Sequence, residues 1–322
     1  MSIQISAIIC AHNPDEKRLG RVFEALARQS LPKEEWECLL VDNASSPELA
    51  PRVDMSWHPA GRMIQESRLG LTPARLAGIE AARGELLLFV DDDCLLAPDY
   101  LGELLELMSP HPFLGVLGGY GTAEYETPPP PWMNHVFRWY HLDFPVPRDK
   151  HPLIYARTPA LGGWVPVGAG MAVRRSVALG YAEYVQNDAV AMAMDRAGNQ
   201  LAGGGDMDIN IFATNQGYAV GRSSHLAFTH VVPSFRLELD YMVRLLYMSQ
   251  FSVARLLIHR GWKDIQPSSP KTIWKTFTQK ANAWKRLTPE ARCWRAYSKG
   301  YSDALHGEAP DPLYCRQGVA SR

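Results

Sequence analysis

The N-terminal half of the chain alternates short apolar runs with segments of helical spacing. Residues 3–10, 37–41 and 86–90 are apolar enough to form buried strands, and 62–65 is a weaker strand candidate. Apolar positions at helical spacing recur over 73–82, and a glycine ends the segment soon after. Strands that alternate with helices imply a parallel sheet, so the pattern predicts an α/β fold.

Three adjacent carboxylates, Asp91, Asp92 and Asp93, directly follow the apolar run 86–90. The carboxyl ends of parallel strands are where open α/β sheets bind ligands. Adjacent acids repel one another, and a divalent cation such as Mg²⁺ or Mn²⁺ would neutralise them while also holding substrate phosphates. A solvated acidic turn has the same pattern. The acids by themselves therefore leave both interpretations open.

Further short motifs follow one another along the chain. They are, in order, Cys10-Ala11-His12-Asn13, Asp42-Asn43, the set Gly70, Ala74, Arg75 and Gly78, the pair Asp91 and Asp93, the segment 167–175, Gly203 to Ile209, and His230 with Pro233 and Arg236. Each motif is weak singly. Their order over about 235 residues resembles family 2 of the nucleotide-sugar-dependent glycosyltransferases, in which Asp91 and Asp93 would be the two ends of the Asp-x-Asp signature.

The resemblance implies a GT-A fold, with a Rossmann-like, mostly parallel sheet flanked by helices over residues 1–235. A helical C-terminal extension would then occupy 236–322. The implied activity is that of an inverting glycosyltransferase of the hexosyl-transferring class, which moves a sugar from a nucleotide-diphosphate sugar to a hydroxyl acceptor. The acceptor could be a glycan, a lipid-linked precursor or a small metabolite, and the sequence does not decide among them.

The same resemblance assigns residues to the donor and the cofactor. Mg²⁺ or Mn²⁺ would be held by Asp93 and His230, and Asp42 would contact the nucleobase. The donor-binding residues as a set would be Asp42, Asn43, Arg75, Asp91 and Asp92. A lone histidine at the end of an apolar strand is, however, often a hydrogen-bonded structural residue, so both interpretations of His230 stay open.

Asp206 is the candidate general base that would remove the proton of the acceptor hydroxyl. It follows three glycines and would begin a helix over Asp206–Asn215, whose N-terminal dipole stabilises a negative charge. As a simple N-cap, Asp206 would contribute only about 1 kcal/mol. The family usually has Glu directly before this Asp, whereas this chain has Gly205. Either the role of that Glu is absent, or Asp208 takes part of it.

Two rival functions differ from sugar transfer. A nucleotidyltransferase would also combine a Rossmann-like sheet with metal-binding acids, but we would expect a glycine-rich basic loop after its first strand, and residues 11–14 are not one. A non-catalytic nucleotide-sugar-binding relative stays open because Gly205 replaces the usual Glu.

Composition agrees with a cytoplasmic enzyme. The 322 residues are 46% hydrophobic and 21% charged, which is ample for one large domain and an extension. A net charge of −1 gives no reason to expect nucleic-acid binding. Five cysteines without a Cys-x-x-Cys pair argue against a disulfide framework or a conventional zinc site. The first strand begins within a few residues, so we expect no signal peptide, and no apolar run reaches the roughly 18 residues of a membrane span.

Two regions lie outside the best-matched motifs. Residues 121–163 are irregular and aromatic, with a run of prolines at 128–131, and could form either a lid facing the acceptor or a loop that packs its own small core. Residues 271–286 combine basic and aromatic side chains. This pattern is typical both of a peripheral contact with an anionic membrane and of a face docked on the catalytic domain.

Overall fold

The computed structural model describes residues 2–133, 153–157, 163–262 and 288–315. The chain forms two compact units. The first unit runs from the N terminus through Glu124, resumes up to Met192 and closes with Gly205–Val232. The second takes up the chain after Glu124, includes Ala193–Gly204, and continues from Pro233. The division into domains 1–235 and 236–322 stays a prediction.

The described residues of the first unit form one mixed sheet. Its strands are β1 (Ile5–Ala11), β2 (Trp36–Asn43), β3 (Gly61–Glu66), β4 (Leu86–Asp91), β5 (Cys94–Leu96), β6 (Leu114–Tyr125), β7 (Ile154–Ala156), β8 (Met171–Arg174) and β9 (Ala219–Val232). They follow the order β3-β2-β1-β4-β8-β6-β9-β5, and β7 also pairs with β9. The first four are parallel, whereas β8 is antiparallel to both β4 and β6, and β9 to both β5 and β7.

Helices connect these strands and build the second unit. In the first unit they are α1 (Glu16–Ala27), α2 (Leu71–Ala81), α3 (Tyr100–Met108), α4 (Arg175–Val185), α5 (Ala189–Ala193, which ends at the first residue of the second unit) and α6 (Gly205–Asn215). In the second unit they are α7 (Leu239–His259), α8 (Pro289–Leu305) and α9 (Pro312–Cys315). Short 3₁₀ turns cover Lys33–Glu35 and Ser234–Leu237. The α/β fold predicted from the alternating pattern is therefore confirmed, as is the helical character of the C-terminal part.

The parallel strands place their carboxyl ends at one edge of the sheet. Cys10 of β1 lies opposite Asp91 of β4, and Ala11 lies opposite Asp42 of β2. All eight residues of β2 are buried, and the side chains of β1 and β4 are buried apart from one partly exposed residue each, Cys10 and Asp91. This burial explains the apolar runs and leaves polar residues to collect where the strands end.

A buried carboxylate, Glu37, anchors the opposite end of the same strands. It is 0% exposed and accepts hydrogen bonds from Ser6 Oγ at 2.7 Å, Arg62 Nη2 at 2.9 Å and Arg83 Nε at 2.8 Å. Burial alone would raise the pKa of Glu37, but the hydrogen bonds from Ser6, Arg83 and Arg62 outweigh it and hold that pKa below its usual value. The carboxylate therefore joins β1, β2, β3 and the loop before β4 in its charged form.

His58 is packed between two tryptophans near the start of β3. Its ring centroid lies 4.1 Å from that of Trp36 and 5.4 Å from that of Trp57, and only 2% of the residue is exposed. Nδ1 accepts the N–H of Ala60 at 3.1 Å, so the neutral ring is the one that fits. Burial, with a smaller effect from the Lys33 charge, lowers the pKa of His58 to about 4.

We predict that this histidine makes the fold sensitive to mild acid. His58 takes up its proton near pH 6.5 in the unfolded chain, but only near pH 4 in the folded protein. The stability that depends on the neutral ring is therefore present in full above pH 6.5, and it is lost as the pH falls from 6.5 to about 4. At ~1.4 kcal/mol per pKa unit, the loss is about 3 kcal/mol. Urea unfolding followed by tryptophan fluorescence at several pH values should show a smaller loss in His58→Gln. The exposed His225→Gln is the control, and equal pH slopes in all three proteins would contradict the prediction.

The second unit is held by a polar and aromatic cluster around Tyr247 of α7. Its hydroxyl donates to Asp303 Oδ2 and accepts the N–H of Asp311, both at 2.7 Å. Its ring stacks on Tyr314 with centroids 4.2 Å apart. Gly300 of α8 allows the close helix crossing, because a Cβ there would lie 2.2 Å from the Tyr247 carbonyl oxygen. These contacts join α7, α8 and α9.

Two of the predicted segments lie wholly or mostly outside the described ranges. The basic and aromatic segment 271–286 lies outside the described residues, as does most of the aromatic stretch beyond 133 that was considered as a lid. Among the helices that are described, none has the length and apolarity needed to cross a bilayer.

Candidate functional site

Asp42 stands at the end of β2 and shapes the loop that follows. It is fully buried, and its Oδ1 accepts the N–H of Ser45 at 3.1 Å while its Oδ2 accepts the N–H of Leu49 at 2.8 Å. Both oxygens are thus engaged inside the loop. The predicted contact between Asp42 and a nucleobase stays a prediction, and it would have to use the remaining lone pairs of this carboxylate.

Asn43 ties together three segments at this edge of the sheet. Its Oδ1 accepts the N–H of Gly70, which precedes α2, at 2.8 Å, and its Nδ2 donates to the Arg68 carbonyl at 2.7 Å. Its own carbonyl lies 2.7 Å from Nδ1 of His12, which follows β1 and is exposed. Asn43, predicted as a donor-binding residue, therefore positions the surrounding loops through both ends of its amide.

Arg75 and Asp206, predicted separately as donor-binding and catalytic residues, meet at Gly168. The N–H of Gly168 donates to Asp206 Oδ2 at 2.9 Å. A Cβ at Gly168 would come within 2.6 Å of Arg75 Nη2 and 3.7 Å of the Asp206 Cβ. The buried guanidinium also lies over the ring of Phe89 in β4, at 5.6 Å. Glycine at 168 is what lets a cation and a carboxylate approach the same loop.

Asp206 lies in the first turn of α6, which begins one residue earlier than predicted, at Gly205. Its Oδ1 accepts the N–H of Met207 at 2.8 Å, so both carboxylate oxygens are oriented by backbone donors. Asp208 faces elsewhere. It is buried, and its Oδ2 accepts the hydroxyl of Tyr181 in α4 at 3.2 Å. The two acids of this segment therefore have different surroundings.

A second cluster forms where β5 pairs with β9. The antiparallel register sets Cys94 opposite His230. His230 Nε2 lies 3.5 Å from Asp93 Oδ1, and Cys94 Sγ lies 3.6 Å from the same oxygen. One ligand atom of each residue lies within 4.8 Å of the other two. The structure thus brings together the predicted metal residues Asp93 and His230, and it adds Cys94, which sequence patterns missed.

Asp91 and Asp92 occupy the stretch between the strand and this cluster. Asp91 is the last residue of β4, Asp92 lies in the turn before β5, and both are partly exposed. Asp93, next in the chain, is buried, and its carbonyl accepts the N–H of Val231 at 2.8 Å. The three acids therefore do not form a uniform solvated turn, because the last of them is fixed against β9.

The donors of this cluster suit a divalent cation. A carboxylate oxygen and an imidazole nitrogen fit Mn²⁺ better than Mg²⁺, which strongly prefers oxygen ligands. Two protein ligands would leave several coordination positions for phosphate oxygens and water. The residues present therefore fit the type of metal that the resemblance implies.

A model of the protein family described as "Glycosyl transferase family 2" matches residues 6–178, more than half of the chain. The chain belongs to glycosyl transferase family 2. The match covers all but one of the parallel strands' residues, the acids 91–93 and the loop around Gly168, whereas α6 and His230 lie beyond it.

Individual relatives share shorter segments. Glycosyltransferase AglE of Haloferax volcanii is 32% identical over 93 residues, which are 28% of this chain and 30% of AglE. Polypeptide N-acetylgalactosaminyltransferase 10 of Rattus norvegicus is 29% identical over 156 residues, 45% of this chain and 26% of that protein. The chain thus matches less than a third of the length of these curated relatives.

Solved structures extend the likeness to nearly the whole chain. A mannosyltransferase from Pyrobaculum calidifontis, solved in complex with GDP-Man and Mn²⁺, superposes with a TM-score of 0.56 at 16% identity. The superposition covers 96% of this chain and 77% of the mannosyltransferase. At this identity the likeness concerns the fold, and it agrees with the GT-A fold expected for the family.

Proposed function

We propose that this family 2 protein is an inverting glycosyltransferase that moves a hexosyl group from a nucleotide-diphosphate sugar to a hydroxyl acceptor, with Mn²⁺ or Mg²⁺ as cofactor. The observation that carries the proposal is the pairing of Asp93 with His230 at 3.5 Å, in a chain that belongs to the family. The approach of Arg75 and Asp206 to Gly168 supports it further.

In this proposal Asp206 takes the proton of the acceptor hydroxyl as the oxygen attacks the anomeric carbon. The backbone donors of Gly168 and Met207 fix the carboxylate, and its place in the first turn of α6 stabilises the negative charge. One such displacement inverts the anomeric configuration, and a single base is enough for it. Arg75 would hold the diphosphate, since its planar guanidinium suits phosphate oxygens.

Asp93 and His230 would hold the divalent cation. When bound, that ion supplies Lewis-acid stabilisation of the negative charge that develops on the departing nucleoside diphosphate. The mannosyltransferase with the same fold was solved with a GDP-sugar and Mn²⁺, which is consistent with this choice. Asp42, Asn43, Arg75, Asp91 and Asp92 are proposed to bind the donor, and the acceptor is proposed to be a glycan, a lipid-linked precursor or a small metabolite.

We predict that nucleoside diphosphate binding depends on the metal. With Mn²⁺ present, calorimetry should detect binding of UDP or GDP, and EDTA should weaken it. Asp93→Asn should weaken it by at least about tenfold, because contacts with a charged group are worth ~1.5–3 kcal/mol. The control is Asp99→Asn, an exposed carboxylate at the N-terminus of α3, for which we expect unchanged affinity. Affinity that is insensitive to both EDTA and Asp93→Asn would refute the metal site.

A further inference from the structure

Cys94 gives the Asp93–His230 cluster a third donor of a different chemical kind. The thiol is fully buried, its Sγ lies 3.6 Å from Asp93 Oδ1, and cross-strand pairing puts it opposite His230. Cysteine also occurs simply as a small buried hydrophobe, as Cys38 does in β2. Cys94 differs from such a residue because its sulfur adjoins a carboxylate and an imidazole, both of which ligate metals.

The three donors together match zinc better than manganese. Hard cations such as Mn²⁺ and Mg²⁺ take oxygen and some nitrogen ligands, whereas Zn²⁺ binds thiolate, imidazole and carboxylate alike. Its bonds are about 2.0–2.3 Å long, so an imidazole nitrogen and a sulfur that lie 3.5 and 3.6 Å from one carboxylate oxygen are close to the spacing that one ion bridges. Three protein ligands plus one open position is the arrangement of a non-structural zinc site.

We propose that Asp93, Cys94 and His230 form a zinc site that overlaps the proposed manganese site and competes with it. On binding, the Cys94 thiol gives its proton to solvent and its sulfur forms a bond to Zn²⁺, while Asp93 and His230 contribute the same atoms that they would offer to Mn²⁺. Zn²⁺ and Mn²⁺ therefore exclude each other. The competition with Mn²⁺ rests on the proposed function, because that function assigns Mn²⁺ to this site. Binding of zinc by the three residues does not depend on a nucleotide.

Functionally, Cys94 would be a residue that determines metal specificity. A tetrahedral ion held by three protein ligands keeps only one position for a phosphate oxygen, while a six-coordinate ion held by two keeps several. Zn²⁺ would therefore occupy the site without supporting diphosphate binding as Mn²⁺ does. The expected consequence is inhibition of the Mn²⁺-dependent protein by zinc.

The test uses the whole 322-residue chain, with Co²⁺ as a spectroscopic probe of Zn²⁺ sites. We expect wild-type protein to show a thiolate-to-cobalt charge-transfer absorption that Zn²⁺ abolishes, and Cys94→Ser to lack it. Zinc affinity in Cys94→Ser should fall by about 10–100-fold or more. Loss of an outer-shell partner already lowers metal affinity by that factor, and Cys94 would be a direct ligand. The control is Cys38→Ser, which removes an equally buried thiol from the same core and should keep the absorption.

Every outcome of these experiments either supports or overturns the zinc site. Absence of the absorption in wild-type protein, or its persistence in Cys94→Ser, would overturn the zinc site. If Cys94→Ser does not fold, cadmium-113 NMR of the wild-type protein replaces it, because the chemical shift separates sulfur from purely nitrogen and oxygen ligation. The proposed function fails separately, through loss of Mn²⁺-dependent nucleotide binding. A protein that binds Mn²⁺ and UDP or GDP without any thiolate signal would retain that function and lose only the zinc site.

Discussion

Replacing Asp206 by Asn should lower turnover by roughly 10² to 10⁴ while leaving donor binding nearly intact, since that is the usual contribution of a positioned general base. The amide cannot take a proton from the acceptor hydroxyl. It retains one acceptor oxygen, which can still bind the N–H of either Gly168 or Met207. Steady-state kinetics with a matched donor and acceptor, together with calorimetric donor binding, would measure both quantities.

Asp208→Asn is the internal control for this prediction. Asp208 is two residues along the same helix, but it is buried and accepts the Tyr181 hydroxyl, a bond that Asn can also accept. We therefore expect turnover within a few-fold of wild type and at most a modest loss of stability. Full activity in Asp206→Asn, or a larger loss in Asp208→Asn than in Asp206→Asn, would mean that the catalytic carboxylate is misplaced. Full donor binding without any turnover in the wild type would favour a non-catalytic binding protein.

Glu37→Gln should destabilise the fold by about 3 kcal/mol, the lower end of the range for breaking a buried ion pair, because Arg62 and Arg83 keep access to water. The neutral amide loses the attraction of both guanidinium groups and can accept with only one atom. Urea unfolding at pH 7 would measure the loss.

The folded state holds the pKa of Glu37 below its usual value, so the charged carboxylate stabilises the fold in full above about pH 4.5. That stabilisation is lost as the pH falls through the pKa that Glu37 has in the folded protein. The variant should therefore show a shallower acid decline there.

The matched control for Glu37 is Glu34→Gln. Glu34 is exposed and lies three residues earlier, in the 3₁₀ turn, and we expect its substitution to change stability by no more than ~0.5 kcal/mol. Equal effects of the two substitutions would show that the network around Glu37 contributes nothing beyond an average surface charge.

Local patterns were sufficient for the parallel strands of the sheet and for α2. The run 86–90 is apolar because β4 is buried by neighbours on both sides, and three glycines before Asp206 mark the start of α6 to within one residue. The antiparallel strands were harder to predict. β9 spans fourteen residues and contains buried Arg222, which donates to the Gly119 carbonyl and lies 3.9 Å over the ring of Tyr120. A buried charge in mid-strand interrupts the apolar signal.

The candidate site also combines residues that local patterns predict with contacts that they do not predict. Asp42 and Asn43 are the last two residues of β2 and Asp91 is the last residue of β4, so their place at the sheet edge follows from the alternating pattern. The meeting of Cys94 with His230 depends on the register between β5 and β9, which are far apart in the chain. Gly168 lies in the motif segment 167–175, but its role beside Arg75 and Asp206 appears only when those residues approach it from other elements. Contacts of this kind depend on tertiary packing that single-sequence patterns do not encode.

The most direct test of sugar transfer is to follow the melting temperature of the purified protein against a panel of nucleotide sugars, with Mn²⁺ and with EDTA. A donor present at 100 times its Kd stabilises the folded state by about 2.7 kcal/mol. We expect one nucleotide class to raise the melting temperature with Mn²⁺ and not with EDTA. When an acceptor is also supplied, the wild-type protein should release nucleoside diphosphate from that donor, and Asp206→Asn should not. Absence of a shift with every nucleotide sugar, with or without metal, would contradict the proposed activity.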